Sequence, residues 1–348
     1  MDQLTNSEAL YERLATFTTG YEPNPDREER EPSYYDYPVL TKSFWDKEII
    51  WYFFFGGLAA GCYILASLAS IFGSKEDRTV VRTGYYLSLL ALLPCPPLLI
   101  KDLGRPERFL HMLRVFKVKS PMSMGSWCLF SFSVVSGITA TIQAARDGLL
   151  GKWWGARFLA AMPQKLLALP GMTLAAFLGS YSGVLLTATS IPIWSRSKLL
   201  GAVFISSAVS TSSALISLVL RIIGAPSTTL HKLEKIEWAA MSLEAFELFR
   251  FLRGSNRTAR PLVGTGSGEH GRTFWRFMVG SGLVLPWLLQ SLALLGGERT
   301  SKRRVRGGKG LLISLLVLVG GYFLRHTIVK AGQPSSVDAR TTLWNARR

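Results

Sequence analysis

The chain has 348 residues, 48% of them hydrophobic and 18% charged, with a positive mean hydropathy of +0.23. That is too apolar for a soluble domain of this size. The net charge of +17 comes from 40 Lys and Arg against 23 Asp and Glu, yet these residues are segregated and long stretches carry none. Basic loops flanking apolar spans fit a membrane protein facing anionic lipid and argue against nucleic-acid binding. Cys62, Cys95 and Cys128 each sit in an apolar run with no close pair, so there is neither a disulfide framework nor a CxxC motif for metal or haem attachment.

Residues 1–47 hold ten acidic and five basic side chains but no apolar run of signal-peptide length. They read as an extra-membrane acidic tail, disordered at its start, with Tyr34, Tyr35, Tyr37, Trp45 and Trp51 approaching the interface as aromatic anchors. A bilayer core about 30 Å thick needs about 20 helical residues. Ile49 to Ser74, Thr83 to Ile100, Ser120 to Ala145, Leu166 to Ser195, Leu199 to Leu220 and Phe277 to Gly297 are all free of charge, which predicts six spans. Gly310 to Leu324 is shorter, but it continues to Val329 if Arg325 snorkels to the headgroups, and this makes a seventh.

The segment LEKIEWAAMSLEAFELFRFL, ending at Leu252, interrupts a helical apolar pattern with Glu237, Glu244 and Glu247, all on one side. Two readings stand side by side. It is an amphipathic helix at the interface, or a spanning helix whose acidic side faces a protein interior or a proton route, with Glu244 the candidate for that route. Spanning gives an all-α polytopic membrane protein of about eight helices in two four-helix bundles. Its transmembrane domain covers 48–333, followed by a tail over 334–348. Both termini then share one face, and the loop charges lean to that face being cytoplasmic.

Haem needs axial ligands, usually paired His projecting inward at matched depth. His111, His231, His270 and His326 do not offer that: they fall in loops or near helix ends. With no cysteine cluster and no GxGxxG opening a βαβ unit, the sequence points to no haem, iron–sulfur cluster or metal held by this chain. Gly57 with Gly61, and Gly179 with Gly183, have the small-xxx-small spacing that brings membrane helices together.

The second span and its following loop, LLPCPPLLIKDLGRPERFLHMLRVFKVKSPMSMGSW, carry the most information. Pro94, Pro96 and Pro97 each remove a backbone donor, so the helix must kink or open there. Asp102 sits at the carboxyl end of that helix, where the macrodipole disfavours its charge while Lys101 and Arg105 favour it. Gly104 suits the turn, and Pro106 stops Arg105 from continuing the helix. On these residues alone the pair Asp102 and Arg105 is either a poised proton site or an ion pair that ends a helix.

YYDYPVLTKSFWDKEIIWYFFFGGLAAG, KDLGRPERFLHMLRVFKVKSPMSMGSW, GSYSGVLLTATSIPIW and LRHTIVKAGQ together resemble the successive signatures of the NrfD/polysulfide-reductase membrane-subunit family, over about residues 34 to 333. The resemblance implies an eight-helix protein of the prokaryotic cytoplasmic membrane that exchanges electrons between a quinone, menaquinone or ubiquinone, and a ferredoxin-like 4Fe-4S subunit, itself wired to a molybdopterin-type catalytic subunit. A quinone site needs an apolar slot, donors to the ring oxygens and a proton acceptor reachable from water. On that basis Asp102 is the expected proton acceptor or donor, and Arg105 fixes its charge state. Tyr181 is the expected donor to a ring oxygen, with Glu48 and Tyr52, one turn apart, facing the same pocket. Trp127 reads as a packing or interfacial aromatic. Where close relatives often carry His before the Asp-Leu-Gly-Arg-Pro run this chain has Lys101, so its proton route past Asp102 differs or does not use that neighbour. The loop from Lys101 to Met124, with six basic residues, suits an acidic iron–sulfur partner as well as anionic lipid. Two other readings remain: a proton or solute transporter built on the acidic stripe, and a purely structural membrane anchor.

Overall fold

The computed structural model describes Leu40, residues 45–104, 106–195, 197–254, 260–263, 269–295 and 308–337, and Thr342. The long helices are α1 (Lys47–Phe72), α2 (Arg78–Leu92), α3 (Cys95–Asp102), α4 (Pro121–Arg146), α5 (Lys165–Thr187), α6 (Leu200–Ile223), α7 (Ser227–Gly254), α8 (Leu285–Leu295) and α9 (Gly308–Val337). A π-helical stretch, Phe274–Val284, leads into α8. Among the described residues seven helices are long and apolar enough to span a membrane, with Lys75–Asp102 counted as one. The chain is an integral membrane protein, and all six charge-free runs and the seventh span fall on these helices.

The proline cluster divides the second crossing without removing it. α2 ends at Leu92, and α3 begins after Pro94 with Pro96 and Pro97 in its first turn. The missing N–H groups there would have had no helical acceptor in any case. The Leu98 amide donates to the Pro94 carbonyl at 3.1 Å and restarts the ladder.

α7 is the ambiguous segment, and its surface decides between the two readings. Between Ile236 and Phe249 its outward residues are apolar, with Ile236, Leu243, Phe246 and Phe249 exposed. Its inward side carries two carboxylates, Glu237 and Glu244, both buried. An interfacial helix would show the reverse, with carboxylates in water. A helix that turns its apolar side out and its charges in matches a lipid surround. Its 28 residues rise about 42 Å, enough to cross, and α7 fills the eighth position.

Eight crossings then form two rings of four. α1, the α2–α3 pair, α4 and α5 pack in one, and α6, α7, α8 with its π-helical lead, and α9 in the other. The rings meet where α1 lies against α6 and α9 and α5 lies against α6. Close approach there depends on small residues. A Cβ on Gly61 would lie 2.4 Å from the Ala208 carbonyl oxygen and 2.3 Å from Ser212 Oγ, and the Ser212 hydroxyl donates to the Leu58 carbonyl at 3.0 Å.

Arg325 departs from expectation. Snorkelling would put it at a helix end, but α9 runs on to Val337 and the guanidinium is 1% exposed. Its Nη1 donates to Gly321 O at 2.7 Å and to Ser207 Oγ at 3.0 Å; Nε donates to Phe53 O at 3.3 Å and Nη2 to Phe204 O at 3.4 Å. α1, α6 and α9 are thus tied to one cation. Gly57 leaves room for it, since a Cβ there would meet Nη2 at 2.8 Å. Nearer the membrane surface, Lys330 pairs with Asp46 and holds that carboxyl below its ordinary value through their hydrogen bond.

Arg325→Leu is expected to destabilise the protein by about 3 kcal/mol, because it leaves the buried acidic face of α7 without its nearby cation. Arg325→Lys should recover only part of this, as a point charge cannot serve four acceptors on three helices. Thermal unfolding of the purified chain in detergent measures both.

Candidate functional site

Helix direction alternates through the bundle, so the start of α1, the end of α3, the start of α4 and the end of α5 share one face. Asp102, Glu48, Tyr52 and Tyr181 all belong to this end. Asp102 is the last residue of α3 and is half-buried. Glu48, in the first turn of α1, lies near enough to interact with it electrostatically. Lys101, expected to favour the Asp102 charge, instead reaches Glu48, with Nζ 3.0 Å from Oε1. The two carboxylates therefore sit near each other, and the ion pair belongs to Glu48. Arg105 lies outside the described residues, as do Tyr34, Tyr35 and Tyr37.

One turn further in from Glu48, Tyr52 is 4% exposed and lies in the same buried cluster as Tyr181, Cys95 and Cys128, from α5, α3 and α4. Tyr181 is 5% exposed, its ring stacked on Phe177, and its hydroxyl donates to the Pro121 carbonyl at 2.7 Å. The phenol thus carries an apolar body with a polar tip held at the start of α4. Of the expected site residues, the structure gathers Asp102 with Glu48, and Tyr52 with Tyr181. Glu244 lies elsewhere, in the second ring on α7.

The SPMSMGSW run explains how the start of α4 is fixed. The Ser120 side chain caps the helix by accepting from the Ser123 amide, and Pro121 takes a first-turn position where its lack of N–H costs nothing. Ser123 Oγ accepts from the Lys117 amide at 3.0 Å and donates to the Val115 carbonyl at 3.1 Å, clasping the basic loop to the helix. Gly125 is the seat of Tyr181: a Cβ there would lie 2.1 Å from the Tyr181 ring. Sequence reasoning missed this role, because a single Gly inside a helix does not say which side chain needs its space. Gly183 likewise lets α5 meet the start of α6, 2.4 Å from the Leu200 carbonyl carbon by the same measure. Trp127 packs edge-on against Phe116 and Phe130, as a packing aromatic should, although its indole N–H is buried without an acceptor.

Among the described residues no group of three or more His, Cys, Asp or Glu is placed to hold a metal ion. His111 and His231 are exposed, and His231 lies beside Glu234. The three cysteines are free and buried.

Gly125→Ala is expected to cost about 1–3 kcal/mol through overpacking against Tyr181. Combining it with Tyr181→Leu should restore most of the loss, giving a strongly non-additive pair. Detergent unfolding midpoints of the single and double variants test the contact.

Residues 39–335 match the family described as Polysulphide reductase, NrfD. The chain is 28% identical to Protein NrfD of Escherichia coli (strain K12) over 312 residues, 83% of this chain and 95% of that protein. It is 26% identical to the Protein NrfD homolog of Haemophilus influenzae over 321 residues, 86% of this chain and 98% of the relative. A shorter stretch of 89 residues, 26% of this chain and 20% of the other, is 31% identical to a selenate reductase subunit of Mesobacillus selenatarsenatis. These likenesses support a membrane subunit of an oxidoreductase complex. From the buried end of the first ring to the match that covers nearly the whole transmembrane region, the observations agree: the chain belongs to the polysulphide reductase NrfD family.

Proposed function

We propose that this protein is the quinone-reactive membrane subunit of a multi-subunit oxidoreductase of the prokaryotic inner membrane, with both termini on the cytoplasmic side. In this reading it exchanges electrons between the quinone pool and an iron–sulfur partner attached to a molybdopterin-type catalytic subunit. The observation that carries the reading is the grouping of a half-buried carboxylate, Asp102, with Glu48 at the end of the first ring, above the buried phenols Tyr52 and Tyr181. The names of the relatives, a reductase family and a selenate reductase subunit, agree with it.

The residues fit such a ligand. A quinone when bound supplies a lipid-soluble carrier of two electrons and two protons. Tyr52 and Tyr181 offer apolar bodies for a ring and hydroxyls for hydrogen bonding to its oxygens. Tyr181 already spends its proton on Pro121 O, so its hydroxyl oxygen remains an acceptor, and as a donor it must exchange that bond. Asp102 is half in protein and half accessible, where a carboxylate can take up a proton at its oxygen from one side and release it to water on the other. Glu48 competes for charge with Asp102, and Lys101 settles the competition by neutralising Glu48. Arg105, in the same loop, is the further group proposed to set the Asp102 charge. On the surface above, the basic loop clasped by Ser123 presents Lys117 and the exposed Phe116 and Val118, a mixed surface suited to an acidic protein partner.

Asp102→Asn in the intact complex should leave assembly unchanged and lower quinone-coupled turnover by about 10²-fold. The check is quinol-dependent turnover compared with partner-only turnover driven by an artificial donor. Undiminished quinol-dependent turnover in an assembled Asp102→Asn complex would remove the proposed proton role.

A further inference from the structure

The acidic face of α7 takes no part in the site above, yet it is among the most costly features of the molecule, since each carboxylate at bilayer depth is unfavourable by several kcal/mol if left uncompensated. Glu234, Glu237, Glu244 and Glu247 recur at intervals of three, seven and three residues, one stripe along one side of the helix. From first to last they cover about 20 Å of helical rise, against a hydrocarbon core of about 30 Å. The opposing stripe on α6 is Ser206, Ser210, Ser213, Ser217 and Arg221, spaced four, three, four and four.

The two stripes face each other in antiparallel order. Ser206 Oγ donates to Glu247 Oε2 at 2.6 Å, and Ser210 Oγ donates to Glu244 Oε2 at 3.0 Å. Arg221 pairs with Glu234 at the far end, and His231 Nδ1 lies 3.6 Å from Glu234 on the opposite face from Asp102. Glu237 lies between Glu234 and Glu244 on the same stripe of α7. Glu237 is 1% exposed, and among the described residues its Oε1 has no hydrogen-bond partner; nor do the buried Ser217 Oγ and Arg221 Nε. Ser213 Oγ donates to the Leu233 carbonyl, one turn before Glu237. The charged and titratable groups nearest the stripe are Arg221 on α6, Arg325 on α9 and His231 on α7 itself. Arg325 lies close to it, donating to the Ser207 hydroxyl near Glu244. α8 contributes an amide, Gln290, which donates to the Glu234 carbonyl.

A stripe serving stability alone would pair each carboxylate with a cation. Among the described residues only Glu234 is so paired directly; Glu244 and Glu247 meet hydroxyls, and Glu237 keeps a buried oxygen with no donor. Hydroxyls both donate and accept, which is what passing a proton requires. We propose that the α6–α7 interface is a proton-conducting line across the membrane, from His231 and Glu234 on one face through Glu237 and Glu244 to Glu247 near the other. Each step moves one proton between oxygens: at Glu244 and Glu247 the carboxyl exchanges a proton with the Ser210 and Ser206 hydroxyl it touches, and Glu237 takes up and releases a proton at its unbonded oxygen. Only O–H bonds break and form, and no electron moves. This line is independent of the quinone reading.

The test uses the full chain in phospholipid vesicles that enclose a pH-sensitive dye, with a potassium diffusion potential imposed by valinomycin and no quinone or redox partner added. Proton entry faster than in protein-free vesicles is expected, with Glu237→Gln and Glu244→Gln each slowing it roughly ten-fold or more and Glu237→Asp retaining most of it. Wild-type flux no faster than in protein-free vesicles overturns the proposal, as does undiminished flux in both Gln variants. If a Gln variant fails to fold, the wild-type chain alone decides. A hydrophobic carbodiimide, which attacks protonated carboxyls in apolar surroundings, should block flux in step with its attachment to α7. Flux that persists at full attachment overturns the line.

Discussion

One buried guanidinium, that of Arg325, ties the two halves of this protein to each other. Among the described residues no carboxylate touches Arg325, and it is stabilised by main-chain carbonyls of α1, α6 and α9 and by the Ser207 hydroxyl. In lipid the helices lack the hydrophobic drive that gathers them in water, so packing and interhelical hydrogen bonds must supply the association. Carbonyls that already accept within their own helices can take a second bond at little cost. One buried cation with several donors is therefore an efficient fastener, and the rings of Phe54 and Phe204, each within 6 Å of the guanidinium carbon, add cation–π attraction. The small residues around it follow from its bulk, with Gly57 and Gly321 both lying against its donors.

The same constraint explains the polar distribution elsewhere. The first ring sets one polar cluster at the end where Glu48, Lys101 and Asp102 meet water and the phenols of Tyr52 and Tyr181 lie just inside. The second ring places it along its length, between α6 and α7. A redox reaction with a diffusible carrier is served at a boundary, whereas movement of an ion requires continuity through the interior. The two arrangements occupy different rings and share only the framework.

Much of this is legible in the sequence, and the gaps have physical causes. Charge-free runs locate seven crossings, because the bilayer imposes a length that composition must satisfy. The DLGRPERF and SPMSMGSW runs lead to Asp102 and to the start of α4. Arg325 misleads, since a charge near the end of an apolar run is equally compatible with snorkelling and burial, and only the partners on α1 and α6 distinguish them. Lys101 points by sequence to its neighbour Asp102, whereas its long side chain reaches Glu48 on another helix. Gly125 carries no signal, because the atom that needs its missing Cβ is 56 residues away on α5. For α7 periodicity reveals the acidic stripe, but the choice between surface and interior turns on which side its phenylalanines face.

The central place of α1 bears on biogenesis. It touches α2, α3, α5, α6 and α9, and it precedes each of them in the chain. Every later helix is thus delivered to an axle already in the bilayer, and nascent intermediates grow around it by accretion. The last helix brings the fastening cation after its carbonyl acceptors on α1 and α6 have been inserted, so the translocon need never release that charge into bare lipid.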